Sequence, residues 1–122
     1  MNNSLVERFN KELKRLENFS EIIGSALVRR NGLLISSMLP RDIDDRKLGA
    51  LAATMFQAIE TAALSLEINQ IKNLTVEYQG YQFVIMEVDQ NTIVVSLIEL
   101  DANLGLIFIE IEESIKNIIR TT

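Results

Sequence analysis

The stretch that decides the fold is residues 48–66, LGALAATMFQAIETAALSL. Its apolar side chains recur every three or four residues, which is the period of an α-helix with one buried face. The predicted apolar stripe consists of Leu48, Leu51, Ala52, Met55, Phe56, Ile59, Ala62, Ala63 and Leu66. The stretch therefore predicts a long helix, from about residue 44 to residue 66, that packs on a core.

The other side of this predicted helix lacks the charges expected of a surface helix. It carries Ala50, Ala53, Thr54, Gln57, Glu60, Thr61 and Leu64, with one charged residue among small or neutral groups. A helix that is apolar on one side and uncharged on the other is usually covered twice, by its own core and by a second chain. We therefore predict that these seven residues bind a partner.

The same stretch approaches the length of a membrane span. However, Gln57 and Glu60 lie near its middle, and a charge at the centre of a span is costly. We therefore expect no direct membrane contact. The polar and charged residues 1–15 do not predict a signal peptide, and the absence of Cys fits a cytoplasmic protein.

The composition limits the chemistry that the chain can perform. Its 122 residues are 48 % hydrophobic, which fits one domain spanning residues 1–122. A net charge of −5, from 17 acidic and 12 basic residues, opposes nucleic-acid binding. The chain has no His and no Cys, so it lacks the commonest general base, the commonest zinc ligand and any thiol nucleophile. We predict no catalytic residues, no metal and no cofactor.

The segments around the long helix predict five strands and two more helices. An apolar stripe of Leu5, Phe9, Leu13 and Leu16 predicts a first helix. Asn31 and Gly32 favour a tight hairpin between the strands 22–28 and 33–38. Short turns separate the strands 71–78, 81–88 and 92–98, and residues 102–119 are predicted to form the last helix. Because every strand-to-strand link is short, the predicted fold is α+β, a five-stranded antiparallel sheet with helices on both faces.

Charged residues around the start of the long helix have two possible interpretations. Asp42, Asp44 and Asp45 lack the glycine and the distal glutamate of a calcium loop, which favours a role at the helix N-terminus. Arg41, Arg46 and Lys47 include arginines that could stabilise a transferring phosphoryl group. Solvated surface bases are the simpler interpretation of these three residues.

Two of the five glycines, Gly49 and Gly105, lie inside predicted helices, where glycine is unfavourable by about 1 kcal/mol relative to alanine. We therefore expect other groups to approach them closely. The glycine spacing matches no phosphate-binding loop.

Two segments and the order of elements resemble the Roadblock domain, the family of roadblock-type dynein light chains and their bacterial and archaeal relatives. The segments are the hairpin LVRRNGLLISS (27–37) and the run DANLGL (101–106). The resemblance covers about residues 19–119. It implies a Roadblock/profilin-like sandwich without enzymatic activity that forms homodimers or heterodimers. In that family the third strand pairs with its copy, and the second helices lie side by side across the two-fold axis.

The resemblance also implies a partner. Many Roadblock proteins bind, scaffold or regulate small Ras-like GTPases, and a homodimeric bacterial relative is a GTPase-activating partner that docks through its paired second helices. We therefore expect a homodimer that binds a small Ras-like GTPase. The third strand agrees with this, because a regular strand with one charge needs a cover or a partner if it lies at a sheet edge. The predicted dimer interface comprises Leu74, Thr75, Val76, Glu77 and Tyr78.

Three alternative functions stay open. The protein could be a structural adaptor, similar to a light chain, without effect on GTP turnover. A small-ligand sensor would need a cavity lined by converging polar groups. An enzyme would have to use carboxylates, Lys or Tyr.

Overall fold

Residues 3–119, which the computed structural model describes, form three helices and five strands. In chain order these are α1 (Asn3–Glu17), β1 (Ile22–Arg29), β2 (Leu34–Met38), α2 (Asp45–Ser65), β3 (Asn73–Tyr78), β4 (Tyr81–Glu87), β5 (Thr92–Glu99) and α3 (Leu104–Ile119). The predicted order of elements is confirmed. Residues 1–2 and 120–122 of the predicted domain lie outside the described residues.

The strands form one antiparallel sheet in the order β2-β1-β5-β4-β3. The last strand, β5, is therefore central, and it is buried from Thr92 to Ile98. This explains why β5 lacks a clear alternation of apolar and polar residues, since both of its faces are covered. The strands β2 and β3 form the two edges of the sheet.

The two faces of the sheet carry different numbers of helices. On one face, Leu13 of α1 and Ile111 of α3 pack against Leu27 in a large apolar cluster. On the other face, Ala52 and Phe56 of α2 belong to a second cluster. The helix α2 packs on β1 and β2 and reaches β5. In the β4–β3 half of this face Ile85 is buried, but Leu74, Val76 and Phe83 are partly exposed and Tyr78 is exposed, so we call it the open half.

Hydrogen bonds between polar side chains join α1 to α3. Arg15 donates to the carboxylate of Glu110 at 3.0 Å, to the carbonyl oxygen of Glu110 at 2.8 Å and to Ser114 Oγ at 2.7 Å. Glu12, which is buried, accepts from Arg15 Nε and from Asn117 Nδ2, each at 3.1 Å. Burial alone lowers the pKa of Arg15, but the hydrogen bonds and charges of Glu110 and Glu12 outweigh it and raise that pKa above its ordinary value. Arg15 therefore stays charged and holds the two helices together.

The two helical glycines differ in their surroundings. A Cβ at Gly49 would lie 3.2 Å from Val28 Cγ2, so the predicted close approach is confirmed there. At Gly105 the prediction is wrong, because a Cβ would meet only Asn103 Oδ1, at 3.4 Å. Gly105 is exposed in the first turn of α3, on a side of the helix that faces away from the core.

Alanine substitutions at Gly24 and Gly105 give a matched test of this packing. A Cβ at Gly24 would overlap the carbonyl oxygen of Met38 and lie 3.0 Å from Leu39 Cα. We expect Gly24→Ala to lower the free energy of unfolding by about 2–3 kcal/mol, because neighbouring backbone would have to move. Gly105→Ala should raise it by up to about 1 kcal/mol through helix propensity. Denaturant midpoints at constant m-value measure both, and a neutral Gly24→Ala would contradict the close approach.

Candidate partner-binding surface

The N-terminus of α2 is capped by an acidic side chain, as predicted. Asp44 is the N-cap residue, and its carboxylate accepts a hydrogen bond of 3.1 Å from the backbone N–H of Lys47. Arg41, Arg46 and Lys47 are exposed, and within residues 3–119 none of them forms an ion pair. In the same range, no group of three or more His, Cys, Asp or Glu residues is arranged to hold a metal ion.

Burial divides α2 differently from the predicted pattern. Leu51 and Ile59, which were assigned to the core, are 48 % and 39 % exposed, whereas Ala53 is 5 % exposed and belongs to the core cluster with Phe56. The prediction that Ala53 lies on the outer side is therefore wrong. The apolar residues of α2 cover the side that contacts the sheet and also part of the exposed side. The centre of the apolar stripe therefore does not coincide with the centre of the buried side.

The outer surface of α2 has two flanks. We call the first the apolar flank, which comprises Leu51, Met55, Ile59, Ala62 and Leu66. The second, the polar flank, comprises five of the seven predicted partner residues: Ala50, Thr54, Gln57, Thr61 and Leu64. All of these residues are exposed except Met55, which is partly buried. The helical period places the two flanks on opposite sides of the outermost line of α2.

Glu60, another predicted partner residue, is held within the chain by Arg30. Arg30 Nη1 lies 2.6 Å from Glu60 Oε1, Arg30 Nη2 lies 3.5 Å from Glu87 Oε2, and the guanidinium carbon lies 5.4 Å from the ring centroid of Phe56. Arg30 therefore ties the turn after β1 to α2 and β4. The role of Arg30 was not predicted from the sequence. The signal that could have indicated it is Glu60, the one acidic residue in stretch 48–66, which needs a basic partner.

An open depression of about 470 Å³ borders the polar flank at Gln57. Buried Phe56 and Ile93 line it together with exposed Asn31 and Gln57. Glu60 also borders a second depression of about 330 Å³ that Leu64 lines. The polar flank is therefore bordered by two shallow depressions.

The edge strand β3 carries one protective charge, Glu77, and no bulge along its length. It pairs with β4 in continuous register from Asn73 to Tyr78, whereas the pairing of the other edge, β2, contains a register shift. Leu74 and Val76 are partly buried, but Thr75 and Glu77 are exposed. Such a regular edge presents free backbone groups that favour pairing with another chain. The assignment of β3 to a dimer interface stays a prediction.

Two stacked aromatic rings, Tyr78 and Phe83, lie on the open half of the sheet near the end of β3. Tyr78 is 56 % exposed and stacks on Phe83 of β4 with 5.9 Å between ring centroids and an interplanar angle of 21°. Leu74 and Phe83 also border the core cluster under α2, as does Met55 of the apolar flank. The open half of the sheet and the apolar flank therefore adjoin the same cluster.

By length and composition alone, α2 would suffice to cross a membrane, with 33 % of its most apolar window buried. Its inner side packs Ala52 and Phe56 on the sheet, and Glu60 lies in an ion pair. These contacts are those of a helix that completes a folded domain.

A five-stranded antiparallel sheet with this order of helices defines a Roadblock-type sandwich. The chain matches the Roadblock/LC7 domain model over residues 8–97 and belongs to that family. Among curated proteins, it is 29 % identical over 114 residues to the uncharacterized protein MJ1340 of Methanocaldococcus jannaschii, covering 93 % of this chain and 96 % of that one. It is 28 % identical over 111 residues to MJ0714 of the same organism, covering 91 % of each.

Solved structures share the fold over most of the chain. MglB of Myxococcus xanthus superposes with a TM-score of 0.90 at 23 % identity, covering 98 % of this chain and 91 % of that one. The gliding protein MglB of Thermus thermophilus gives a TM-score of 0.87 at 15 % identity, with coverage of 98 % and 92 %. A Roadblock/LC7 domain from Streptomyces avermitilis gives 0.83 at 14 % identity, with coverage of 88 % and 92 %.

Proposed function

We propose that this protein is a homodimeric, non-enzymatic cytoplasmic regulator or scaffold of a small Ras-like GTPase. The observation that carries the proposal is the open half of the α2 face, where the apolar flank and the regular β3 edge adjoin one core cluster. In Roadblock proteins the second helix and third strand form the dimer. Beyond the matched residues 8–97, α3 supplies Ile107 and Ile111 to the core, so we treat residues 1–122 as one Roadblock domain.

The two flanks of α2 have different roles in this proposal. The apolar flank and the open half of the sheet contact the second copy, because leaving Leu51, Ile59 and Tyr78 in water is unfavourable by about 25 cal/mol per Å² of apolar surface. A standard interface of roughly 800 Å² per partner fits a helix flank and one strand. The polar flank then lies beside the paired helices and binds the GTPase.

The regulatory mechanism is conformational. A GTPase seated on the polar flanks of both helices would favour one arrangement of its switch segments, which changes the rate of GTP hydrolysis. Arg30 is engaged by two carboxylates, so it does not supply an arginine to the nucleotide. The adaptor alternative predicts binding without a change in turnover.

A substitution on the polar flank tests GTPase docking. Thr61 is exposed, so Thr61→Arg should leave the fold and the dimer intact while lowering the affinity for the GTPase at least about tenfold, because a bulky charge enters the docking surface. Asn18→Arg is the control and should have no effect, since Asn18 is exposed in the turn after α1. The probes are the small Ras-like GTPases of the source organism, each loaded with GDP or a GTP analogue, in a titration and a hydrolysis assay.

The assay separates the alternatives. Binding with altered hydrolysis supports a regulator, and binding with unchanged hydrolysis supports an adaptor. Equal affinities for Thr61→Arg and Asn18→Arg would contradict the assignment of the polar flank.

A further inference from the structure

The free backbone groups of β3 belong to alternate residues. A two-residue connection joins β3 to β4, with Tyr78 opposite Tyr81 and a positive φ of 93° at Gly80. The residues that flank such a turn exchange hydrogen bonds, and bonded and non-bonded pairs then alternate along an antiparallel ladder. Residues 74, 76 and 78 therefore bond to β4, and residues 73, 75 and 77 direct their N–H and C=O groups outward.

Two-fold symmetry restricts how two copies of this edge can pair. Opposite residues in an antiparallel pair point to the same face, so one residue of β3 must face its own copy. With Thr75 at this position, all three outward residues of each copy are bonded, residue 73 pairing with residue 77. With Val76 there, Asn73 would have to bond to residue 79 in the turn. With Glu77 there, two carboxylates would lie directly opposite each other, which is destabilising.

A groove of about 430 Å³ lies next to the first residue of β3, on the side of the sheet that α3 covers. Its lining includes Asn73, Lys72 and Lys116, above buried Met86. Both lysines are exposed, and neither forms an ion pair within the described part of the chain. The groove is therefore a place where an acidic side chain from outside would find a positive charge.

The groove and β3 carry opposite charges that form no ion pair within the described part of one chain. Two acidic residues also line the groove: Glu87 shares Arg30 with Glu60, at 3.5 Å from Arg30 Nη2, and Glu112 forms no ion pair among residues 3–119. Lys72 and Lys116 are the groups of the lining with which an incoming carboxylate would pair. Glu77 is the charged residue of β3, is exposed, and forms no ion pair with residues 3–119 of its own chain.

We propose that two copies pair through β3 with Thr75 facing Thr75 across the two-fold axis, so that Glu77 of each copy enters the Lys72–Lys116 groove of the other. In this register Glu77 lies opposite Asn73 of the second copy, and both side chains point to the face that carries the groove. The inference rests on the proposed homodimer and adds its register and an intersubunit ion-pair site.

Single cysteines test the register, because the chain has no native Cys. Residue 75 would lie about 5.5 Å, Cα to Cα, from its copy, within the range of a disulfide. Residue 76 would lie diagonally about 7–8 Å from its copy. Under mild oxidation, Thr75→Cys should form covalent dimers at least about tenfold faster than Val76→Cys or Glu77→Cys. Faster cross-linking at residue 76 or 77 would overturn the register.

Light scattering of the same samples separates this inference from the proposed function. A dimer mass without cross-linking at any of the three positions overturns the β3 register and leaves the dimer standing. The mass of one subunit for the native chain overturns the proposed homodimer itself.

A charge exchange tests the ion-pair site. We expect Glu77→Lys and Lys72→Glu each to raise the dimer dissociation constant about tenfold, and the double variant to return it to within about threefold of the native value. Glu113→Lys is the control, since Glu113 is exposed on α3 outside the groove, and it should leave the constant unchanged. Equal effects of Glu77→Lys and Glu113→Lys, or a double variant weaker than either single variant, would overturn the site.

Discussion

Ile59→Asp is expected to convert the homodimer into folded monomers. Ile59 is 39 % exposed on the apolar flank, so a single copy can accept a carboxylate there in contact with water. In the dimer that carboxylate would be buried without a partner, which costs several kcal/mol. A loss of about 4 kcal/mol raises the dissociation constant about a thousandfold. Light scattering over a range of protein concentrations measures the mass, and circular dichroism checks the fold.

Ile109→Asp is the matched control for this substitution. Ile109 is 62 % exposed on α3, on the face of the sheet opposite to α2, so the same change there should leave the dimer intact. If Ile59→Asp keeps the dimer mass at micromolar concentration, the apolar flank is not the interface. If both variants dissociate equally, a general effect of the added charge explains the result.

Arg15→Ala is expected to lower the free energy of unfolding by about 3 kcal/mol, because it removes the partner of the buried carboxylate of Glu12 in a partly buried ion pair. The substitution deletes the four hydrogen bonds that Arg15 donates to Glu12, Glu110 and Ser114. It also leaves the buried carboxylate of Glu12 with Asn117 as its remaining side-chain donor. Denaturant unfolding at a fixed protein concentration measures the loss.

Two further variants show whether the buried charge is the cause. Lys14→Ala alters the neighbouring residue, which is exposed, and should change the free energy of unfolding by less than about 0.5 kcal/mol. Adding Glu12→Gln to Arg15→Ala removes the unpaired charge and should recover about 1 kcal/mol or more. A double variant less stable than Arg15→Ala alone would show that Glu12 is not the source of the cost.

The order of the elements and the antiparallel sheet could be predicted because each depends on local signals. Asn31-Gly32 fixed the first hairpin, and the alternation from Leu74 to Tyr78 marked the strand that lies at the sheet edge. The boundaries were less accurate: α3 begins at Leu104 because the side chain of Asn103 accepts a hydrogen bond of 3.2 Å from the N–H of Leu106. Helix ends depend on such individual caps more than on periodicity.

The inner and outer sides of α2 could not be predicted from periodicity. The spacing of apolar residues shows on which side of the helix they concentrate. It cannot show that the sheet covers only some of them. The pattern therefore predicted Ala53 on the surface and Ile59 in the core, whereas Ala53 is buried and Ile59 is exposed. The contact between Arg30 and Glu60 was also hidden, because it joins residues 30 positions apart through the packing of α2 on the turn after β1. The partner-binding roles of the polar flank and of β3 stay predictions.

The single helix on the α2 face has a consequence for the amount of protein in a cell. If the uncovered half of that face is completed by a second copy, part of the folding free energy comes from mass action, and the melting temperature rises with protein concentration. Copies produced below the dissociation constant then stay solitary, less stable and more open to proteolysis. Expression level would thus set the lifetime of each molecule as well as their number.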